Sequence, residues 1–289
     1  MTTSSRPGPS VRTRVLEVTA DGVRRHEDRL ATEEPMEIRL AWPGHLDERV
    51  AVTMRTPGQD FELAVGFLHG EGLLDTADPG GAVSRVAYCT DADLTPEERY
   101  NVVTVALRTA PDHPPVARYA GPGGATSACG VCGTESIQEV LARTRVDSSG
   151  SWPDLRVDPE VLRALPEALR AGQRVFDATG GLHAAGLFDL DGNALVVRED
   201  VGRHNCVDKV VGARLLAGES PAVPVLCVSG RIGFEIVQKA VAARIGVLAS
   251  VGAPSSLAVD LAGTAGLTTV GFVREGRFVV YSGSTRIGV

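Results

Sequence analysis

The stretch Val223-Pro-Val-Leu-Cys-Val-Ser-Gly-Arg-Ile-Gly-Phe-Glu-Ile-Val-Gln-Lys-Ala-Val-Ala-Ala-Arg-Ile-Gly-Val-Leu-Ala-Ser-Val251 decides the fold. Val223–Ser229 is a short apolar run bounded by turn residues, the pattern of a buried strand. A Gly-Arg-Ile-Gly turn breaks it, a helix is predicted from Phe234 to Arg244, and Val247–Val251 reads as the next strand. Strand, helix and strand in close succession form the unit of an α/β layered domain.

Reading outward, the alternation continues on both sides. Towards the C-terminus come a helix from Ser255 to about Ala262 and two strands, Thr268–Val273 and Arg277–Tyr281, joined across a Glu-Gly turn. Towards the N-terminus, a helix runs from His204 to Leu216, with Val207, Val210, Val211 and Leu215 as its buried stripe. Asp208 and Lys209 on that helix are expected to be solvated. Leu190-Asp-Gly-Asn193 joins Leu182–Asp189 to Ala194–Glu199 as a hairpin. A helix from Asp158 to about Arg170 comes before it. The expected core is therefore a layered α/β unit over 160–289 with a mostly parallel central sheet.

Farther out the pattern turns β-rich. Val11–Val18, Met36–Trp42, Val50–Met54, Val83–Cys89 and Asn101–Arg108 read as strands, and Asp60–His69 as a helix with apolar residues at 61, 64, 65 and 68. A Gly/Pro/Ser-rich passage from Pro111 to Ser127 leads to Cys129. Ser136-Ile-Gln-Glu139 fits a capping box opening a short helix through Ala142. The expected organisation is a disordered tail over 1–10, an N-terminal α+β region over 11–145, a linker over 146–159, and the α/β core.

The 289 residues, 43% of them hydrophobic, suffice to bury a core in one large unit or two moderate ones. No apolar run reaches the length of a spanning helix, and no apolar segment follows the basic residues at the N-terminus, so neither a membrane span nor a secretory signal is expected. The cytoplasm is the default compartment. A net charge of −7 argues against a nucleic-acid surface while leaving room for a local basic pocket. The cysteines are Cys89, Cys129, Cys132, Cys206 and Cys227, an odd set in a chain too long to need disulfide staples.

The chemistry concentrates in Gly123-Gly-Ala-Thr-Ser-Ala-Cys-Gly-Val-Cys-Gly-Thr-Glu135. Glycines on both sides allow close approach and loop movement. A thiolate just ahead of a helix start has a lowered pKa and is a better nucleophile. Two sulfurs three residues apart can form a disulfide, bind a metal, or hold and resolve a persulfide. A closed structural zinc site lacks its other ligands here, and a thioredoxin-like exchanger would place the pair after an early strand. His69-Gly-Glu71 followed by Cys129-x-x-Cys132 also approximates the zinc deaminase pattern. Residue 128 is Ala where that pattern has Pro, however, and His69 falls at the end of its helix.

The loop Ser127–Gly133 resembles the cysteine loop of the FdhD family. So do Thr179-Gly-Gly-Leu-His-Ala-Ala185, Arg198-Glu-Asp-Val-Gly-Arg-His-Asn-Cys-Val-Asp-Lys209, and Ser229-Gly-Arg231 with Glu235 and Lys239. Gly252-Ala-Pro-Ser-Ser-Leu-Ala258 and Gly271-Phe-Val-Arg-Glu-Gly-Arg277 complete the set. The resemblance implies a sulfurtransferase that takes persulfide sulfur from a cysteine desulfurase. It passes the sulfur to the bis(molybdopterin guanine dinucleotide) cofactor, holding molybdenum or tungsten, of formate dehydrogenase. That cofactor would be cargo, with no permanently bound metal. The resemblance further implies a core similar to the cytidine deaminase-like fold, Cys129 as the persulfide carrier and Cys132 as its partner. It maps cofactor contact to Phe272, Val273, Arg274, Glu275, Gly276 and Arg277. Cys206 and Gly233 depart from the family pattern. A homodimer stays open, as do two other classes, a zinc-dependent nucleobase deaminase and a non-catalytic cofactor chaperone.

Read physically, the polar residues fall where α/β sheets bind ligands, outside the carboxyl ends of strands. Arg203, His204, Ser229 and Arg231 join the 272–277 segment as candidate contacts. Arg203, Arg231, Arg274 and Arg277 can pair with phosphates, and Gly230 and Gly252 permit close backbone approach. Taken singly, each turn is an ordinary cap; the case rests on several sharing one rim. His183 and His204 are candidate proton donors, with a purely structural role as the alternative. Cys227 reads as core.

Overall fold

A computed structural model describes residues 7–74, 78–89, 95, 100–113, 115, 152 and 154–288. Cys129, Cys132, the capping-box helix and the first half of the expected linker lie outside the described residues.

Strands β1 (Ser10–Thr19) and β2 (Gly22–Ala31) make an antiparallel hairpin. Strands β3 (Glu34–Trp42), β4 (His45–Arg55), β5 (Val83–Tyr88) and β6 (Val102–Leu107) form a four-stranded sheet in the order β4-β3-β6-β5, and α1 (Asp60–Gly70) follows β4. Helices α2 (Pro159–Ala171) and α3 (Arg174–Thr179) lead into a second sheet. Its elements are β7 (His183–Phe188), β8 (Ala194–Asp200), α4 (Arg203–Leu216), β9 (Val225–Val228), α5 (Phe234–Ala242), β10 (Val247–Ser250), α6 (Ser256–Thr264), β11 (Thr268–Arg274) and β12 (Arg277–Ser282). The strand order is β12-β11-β10-β9-β7-β8.

The chain is therefore α/β, as its alternation indicates, but the sheet is mixed rather than mostly parallel. Only β9–β10 and β10–β11 pair in parallel, whereas β7 is antiparallel to both β8 and β9, and β12 to β11. The cause is the hairpin. β8 and β9 run the same way with β7 inserted between them, so α4 crosses over β7 to connect them.

Period-two alternation along β9 sends its side chains to two cores. Val225 and Cys227 pack with Leu162, Leu165 and Leu169 of α2, while Leu226 and Val228 face the other side with residues of α4 and α5. Asp158 caps α2, accepting from the amide of Glu160 at 2.8 Å. The second half of the expected linker is seated in structure. Leu155 and Val157 are buried, Val157 bridges to Ile287, and the Trp152 indole donates to the Arg244 carbonyl at 2.7 Å.

The N-terminal sheet and the α/β part share one apolar core running from Met36 through Leu63 and Val207 to Ala262. Helices α1 and α4 meet backbone to backbone at its centre. A Cβ on Gly66 would lie 1.9 Å from the Asp208 carbonyl, and one on Gly212 would lie 1.9 Å from that of Glu62. Only glycine fits at either crossing point. Among the described residues, no helix is long and apolar enough to cross a membrane.

Candidate functional site

Strand direction assembles the rim. The parallel strands β9, β10 and β11 end on one edge of the sheet. β7 runs against β9, so its first residue, His183, lies on that edge, paired with Asp200 at the end of β8. The fold thus collects His183, Arg203, His204, Ser229, Arg231 and the Phe272–Arg277 turn at one border of the sheet.

Backbone contacts interlock these loops. The Ala184 amide donates to Ser229 Oγ at 2.8 Å, and the Ser229 amide to the Ala184 carbonyl at 2.9 Å. Ser250 Oγ donates to the Gly230 carbonyl and accepts from the Gly252 amide. A Cβ on Gly252 would lie 3.1 Å from Arg231 Cα and from the Gly230 carbonyl. Phe272 takes a left-handed φ of 52° while its amide donates to the Gly252 carbonyl at 3.0 Å. Such a conformation costs a phenylalanine about 1–3 kcal/mol and is held only by its surroundings. The register shift between Gly271 and Arg274 then leaves Val273 buried and Arg274, Glu275, Gly276 and Arg277 exposed on the turn.

The rim is cationic at its centre. Helix α4 begins there with no side-chain cap and no acid in its first turn, so its amide dipoles favour an anion. Arg203 opens the helix, and among the described residues its buried Nε has no hydrogen-bond partner. His204 Nε2 lies 2.9 Å from Glu235 Oε2. Burial pushes the Glu235 carboxyl up, but the hydrogen bond and charge of His204, with Lys239 and Arg203, outweigh it and hold the group below its ordinary value. Burial, then the charges of Arg203 and His204, lower His183, which favours its neutral ring. Arg231, Arg274 and Arg277 are exposed and hold no ion pair among the described residues.

The structure reassigns much of the Arg198–Lys209 motif from the surface to the interior. Asp200 is fully buried and gathers four donors: the Gly202 amide and Asn205 Nδ2 at 2.8 Å, the Thr56 amide at 3.2 Å, and Lys209 Nζ at 2.7 Å. Asn205 also donates to the Met54 carbonyl at 2.8 Å. These bonds tie the end of β4 to the start of α4. Asp208 and Lys209, expected to be solvated, are 2% and 1% exposed, because α1 walls the second face of α4. Asp208 instead pairs with Lys239 at 2.7 Å. Glu199 caps α3 by accepting from the Val175 and Phe176 amides at 2.9 and 2.7 Å. A cleft of about 470 Å³ opens beside it, lined in part by Thr56, Gln59, Arg174, Arg198 and Lys209. Two of its cations are already engaged, Arg198 by Glu62 and Lys209 by Asp200.

Two of the three described cysteines, Cys206 and Cys227, are poorly suited to carry sulfur. Burial pushes the Cys227 thiol up to about 12 and that of Cys206 well above its ordinary value, so neither yields a thiolate at neutral pH. Cys89 is half-buried. His69 sits on the last turn of α1, and burial, with Lys239 and Arg244, lowers it to about 4. Among the described residues, no group of three His, Cys, Asp or Glu side chains is placed to hold a metal ion.

Residues 31–288 match the model of the FdhD/NarQ family. The chain is 48% identical to a protein of Streptomyces avermitilis named sulfur carrier protein FdhD, covering 96% of this chain and 95% of that one. The protein of that name from Nocardia farcinica is likewise 48% identical, over 96% of this chain and 95% of its own. The one from Mycobacterium tuberculosis is 46% identical, over 95% and 97%. A crystal structure described as a formate dehydrogenase accessory protein, from Desulfotalea psychrophila, superposes with a TM-score of 0.72 over 96% of this chain and 99% of that one; at 22% identity it speaks for the fold alone.

Proposed function

The chain belongs to the FdhD/NarQ family, and from that premise we propose that it is a sulfur carrier serving formate dehydrogenase maturation, with Cys129 as its sulfur-bearing residue. The observation that carries this reading is near-end-to-end identity of 48% to proteins named sulfur carriers. The cationic rim adds to it: an uncapped helix start, Arg203, Arg231, Arg274 and Arg277 suit the pyrophosphates of a guanine dinucleotide cofactor, here as cargo.

The chemistry runs in two steps. The Cys129 thiolate attacks the terminal sulfur of a persulfide on a cysteine desulfurase. The donor's S–S bond breaks, the donor cysteine leaves as thiolate, and Cys129 holds the persulfide. The Cys132 thiolate then attacks the Cys129 sulfur, forming a Cys129–Cys132 disulfide and expelling hydrosulfide, which becomes a ligand of the molybdenum or tungsten. A dithiol reductant restores the pair. Both steps need free thiols, which places the reaction in a reducing compartment, the cytoplasm.

Peptide mass spectrometry after incubation with a cysteine desulfurase and cysteine, with thiols trapped by alkylation and zinc measured in the same sample, tests this. The expected result is one added sulfur on Cys129 and no stoichiometric zinc. Cys129→Ala should load no sulfur there and should fail to activate the dependent dehydrogenase. Zinc held by the pair with no added sulfur would move the deaminase reading forward. Activation that survives loss of both cysteines would leave a cofactor chaperone.

A further inference from the structure

Helices α4 and α5 bring four charged groups together behind the rim. His204 and Asp208 stand four residues apart on α4, and Glu235 and Lys239 four residues apart on α5, so each pair shares one face of its helix. Across the two helices the charges match in two rungs. His204 Nε2 lies 2.9 Å from Glu235 Oε2, and Lys239 Nζ lies 2.7 Å from Asp208 Oδ1. The inner rung is buried, its side chains 9% and 2% exposed, whereas the outer rung opens onto the rim with His204 at 15% and Glu235 at 21%.

The inner rung already fastens α4 to α5, and a partly open second ion pair adds little to that clamp. A histidine with a carboxylate on one ring nitrogen is, however, the pairing that fixes an imidazole and aims its other nitrogen at a reaction. Glu235 engages Nε2. Among the described residues Nδ1 has no hydrogen-bond partner, so it is the nitrogen left to carry a transferable proton. Around this outer rung stand Lys239 from α5, Arg203 and Asp208 from α4, and His183 from β7, with Asp200 of β8 beyond it; Glu71, just past α1, acts on the inner rung. Burial raises the Glu235 carboxyl, but His204, Lys239 and Arg203 outweigh it, and the group stays ionised beside the ring. His183 is no substitute. Burial, then Arg203 and His204, favours its neutral form, and its ring faces Gly230, where a Cβ would lie 3.3 Å from His183 Nδ1 and 3.5 Å from Arg203 Cδ.

We propose that His204 is the acid in the exchange that places sulfur on the metal, with Glu235 as its positioning residue; the step rests on the sulfur-carrier reading. The hydrosulfide expelled from the persulfide attacks the metal of the cargo and takes the place of an oxygen ligand. A metal–sulfur bond forms and the metal–oxygen bond breaks. The departing oxygen takes one proton from the hydrosulfide and one from the His204 ring, and leaves as water. The oxidation state of the metal does not change, and the neutral ring regains its proton from solvent.

Single-turnover activation of formate dehydrogenase by the full chain, loaded with sulfur and saturated with cofactor, tests this across about pH 5–8, with Cys129 loading read by mass spectrometry on the same samples. The wild-type rate should fall as the pH rises, because the acid form of the ring is lost. His204→Gln, whose amide can still donate to Glu235, should load Cys129 as the wild type does, yet activate about 100-fold more slowly and without that fall. Glu235→Gln should keep the fall and move it towards acid, since an amide no longer favours the charged ring. A His204→Gln chain with the wild-type rate and pH profile overturns the proposal. So does one that loses loading as well, which marks a structural role. A wild type that takes no sulfur on Cys129 overturns the carrier reading and the proposal with it, whereas a loaded wild type matched by the variant overturns the proposal alone.

Discussion

His69 and Asp208, both near the α1–α4 contact, titrate in opposite senses on folding. Burial lowers His69 from 6.5 to about 4, so its contribution to stability is complete above pH 6.5 and is lost as the pH falls towards 4. The full loss amounts to about 3 kcal/mol. Asp208 is pushed up to about 6, chiefly by burial, so its contribution is complete below its unfolded value of 3.8 and is lost as the pH rises through 6. Urea unfolding across that window should show a shallower fall towards acid for His69→Asn than for the wild type. A wild-type curve that is flat in acid, with the variant matching it, would show that the ring already ionises in the fold. The Asp208–Lys239 pair is charged at both ends near neutral pH. Lys239→Met should therefore cost about 3–5 kcal/mol by stranding a buried carboxylate, and Asp208→Leu with Lys239→Met should recover much of it. Equal losses for the single and double variants would mean that packing, not charge, sets the cost.

At the scale of elements, the α1–α4 crossing is the contact with least tolerance. Gly66→Ala or Gly212→Ala drives a methyl into a carbonyl at 1.9 Å and must push the helix backbones apart. Each should lower stability by about 1–3 kcal/mol or more, read as a drop in the urea midpoint. A midpoint unchanged in both would mean that the helices sit farther apart. The same crossing explains what the sequence reveals and what it conceals. Most strands and helices lie where period and turn residues put them, because those signals are local. Sequence places Asp208 and Lys209 in solvent because one apolar stripe on α4 implies one wall, while the fold supplies two, the second from α1, where Glu62 lies against Gly212. Helix α3 carries no local start signal because its N-terminal amides are capped by Glu199, 24 and 23 positions away, rather than by a neighbour. The rim residues were legible as a set because they end successive strands. The position of β7 between β8 and β9 was not, since no local signal encodes which edge a hairpin joins.

Across the whole molecule, the larger of the two cores joins the four-stranded sheet to the six-stranded one, so unfolding should be a single cooperative transition, with calorimetric and van't Hoff enthalpies equal. A chain beginning at residue 154 would lose α1 and expose Val207, Val210 and Val211 of α4; it should stay unfolded in circular dichroism, and a cooperative melt would show the α/β part to be independent. The rim concentrates positive charge in a molecule whose net charge is −7. If the rim holds the pyrophosphate of a guanine dinucleotide, as the proposed function requires, binding of a guanine nucleotide should weaken with added salt, and Arg203→Ala should both reduce affinity, by about tenfold, and flatten that dependence. An unaltered salt slope would place the phosphates elsewhere.

The meeting of α1 with α4 also sets a timetable for the ribosome. Glu62 and its partner Arg198 are 136 positions apart, and the side of α1 that meets α4, at Glu62 and Gly66, stays uncovered until α4 has been translated. At about 5–20 residues per second that wait lasts on the order of ten seconds. During it that side of the helix waits for its later-made partner. Slowing translation between these two helices should therefore lower the soluble yield more than slowing it after residue 216.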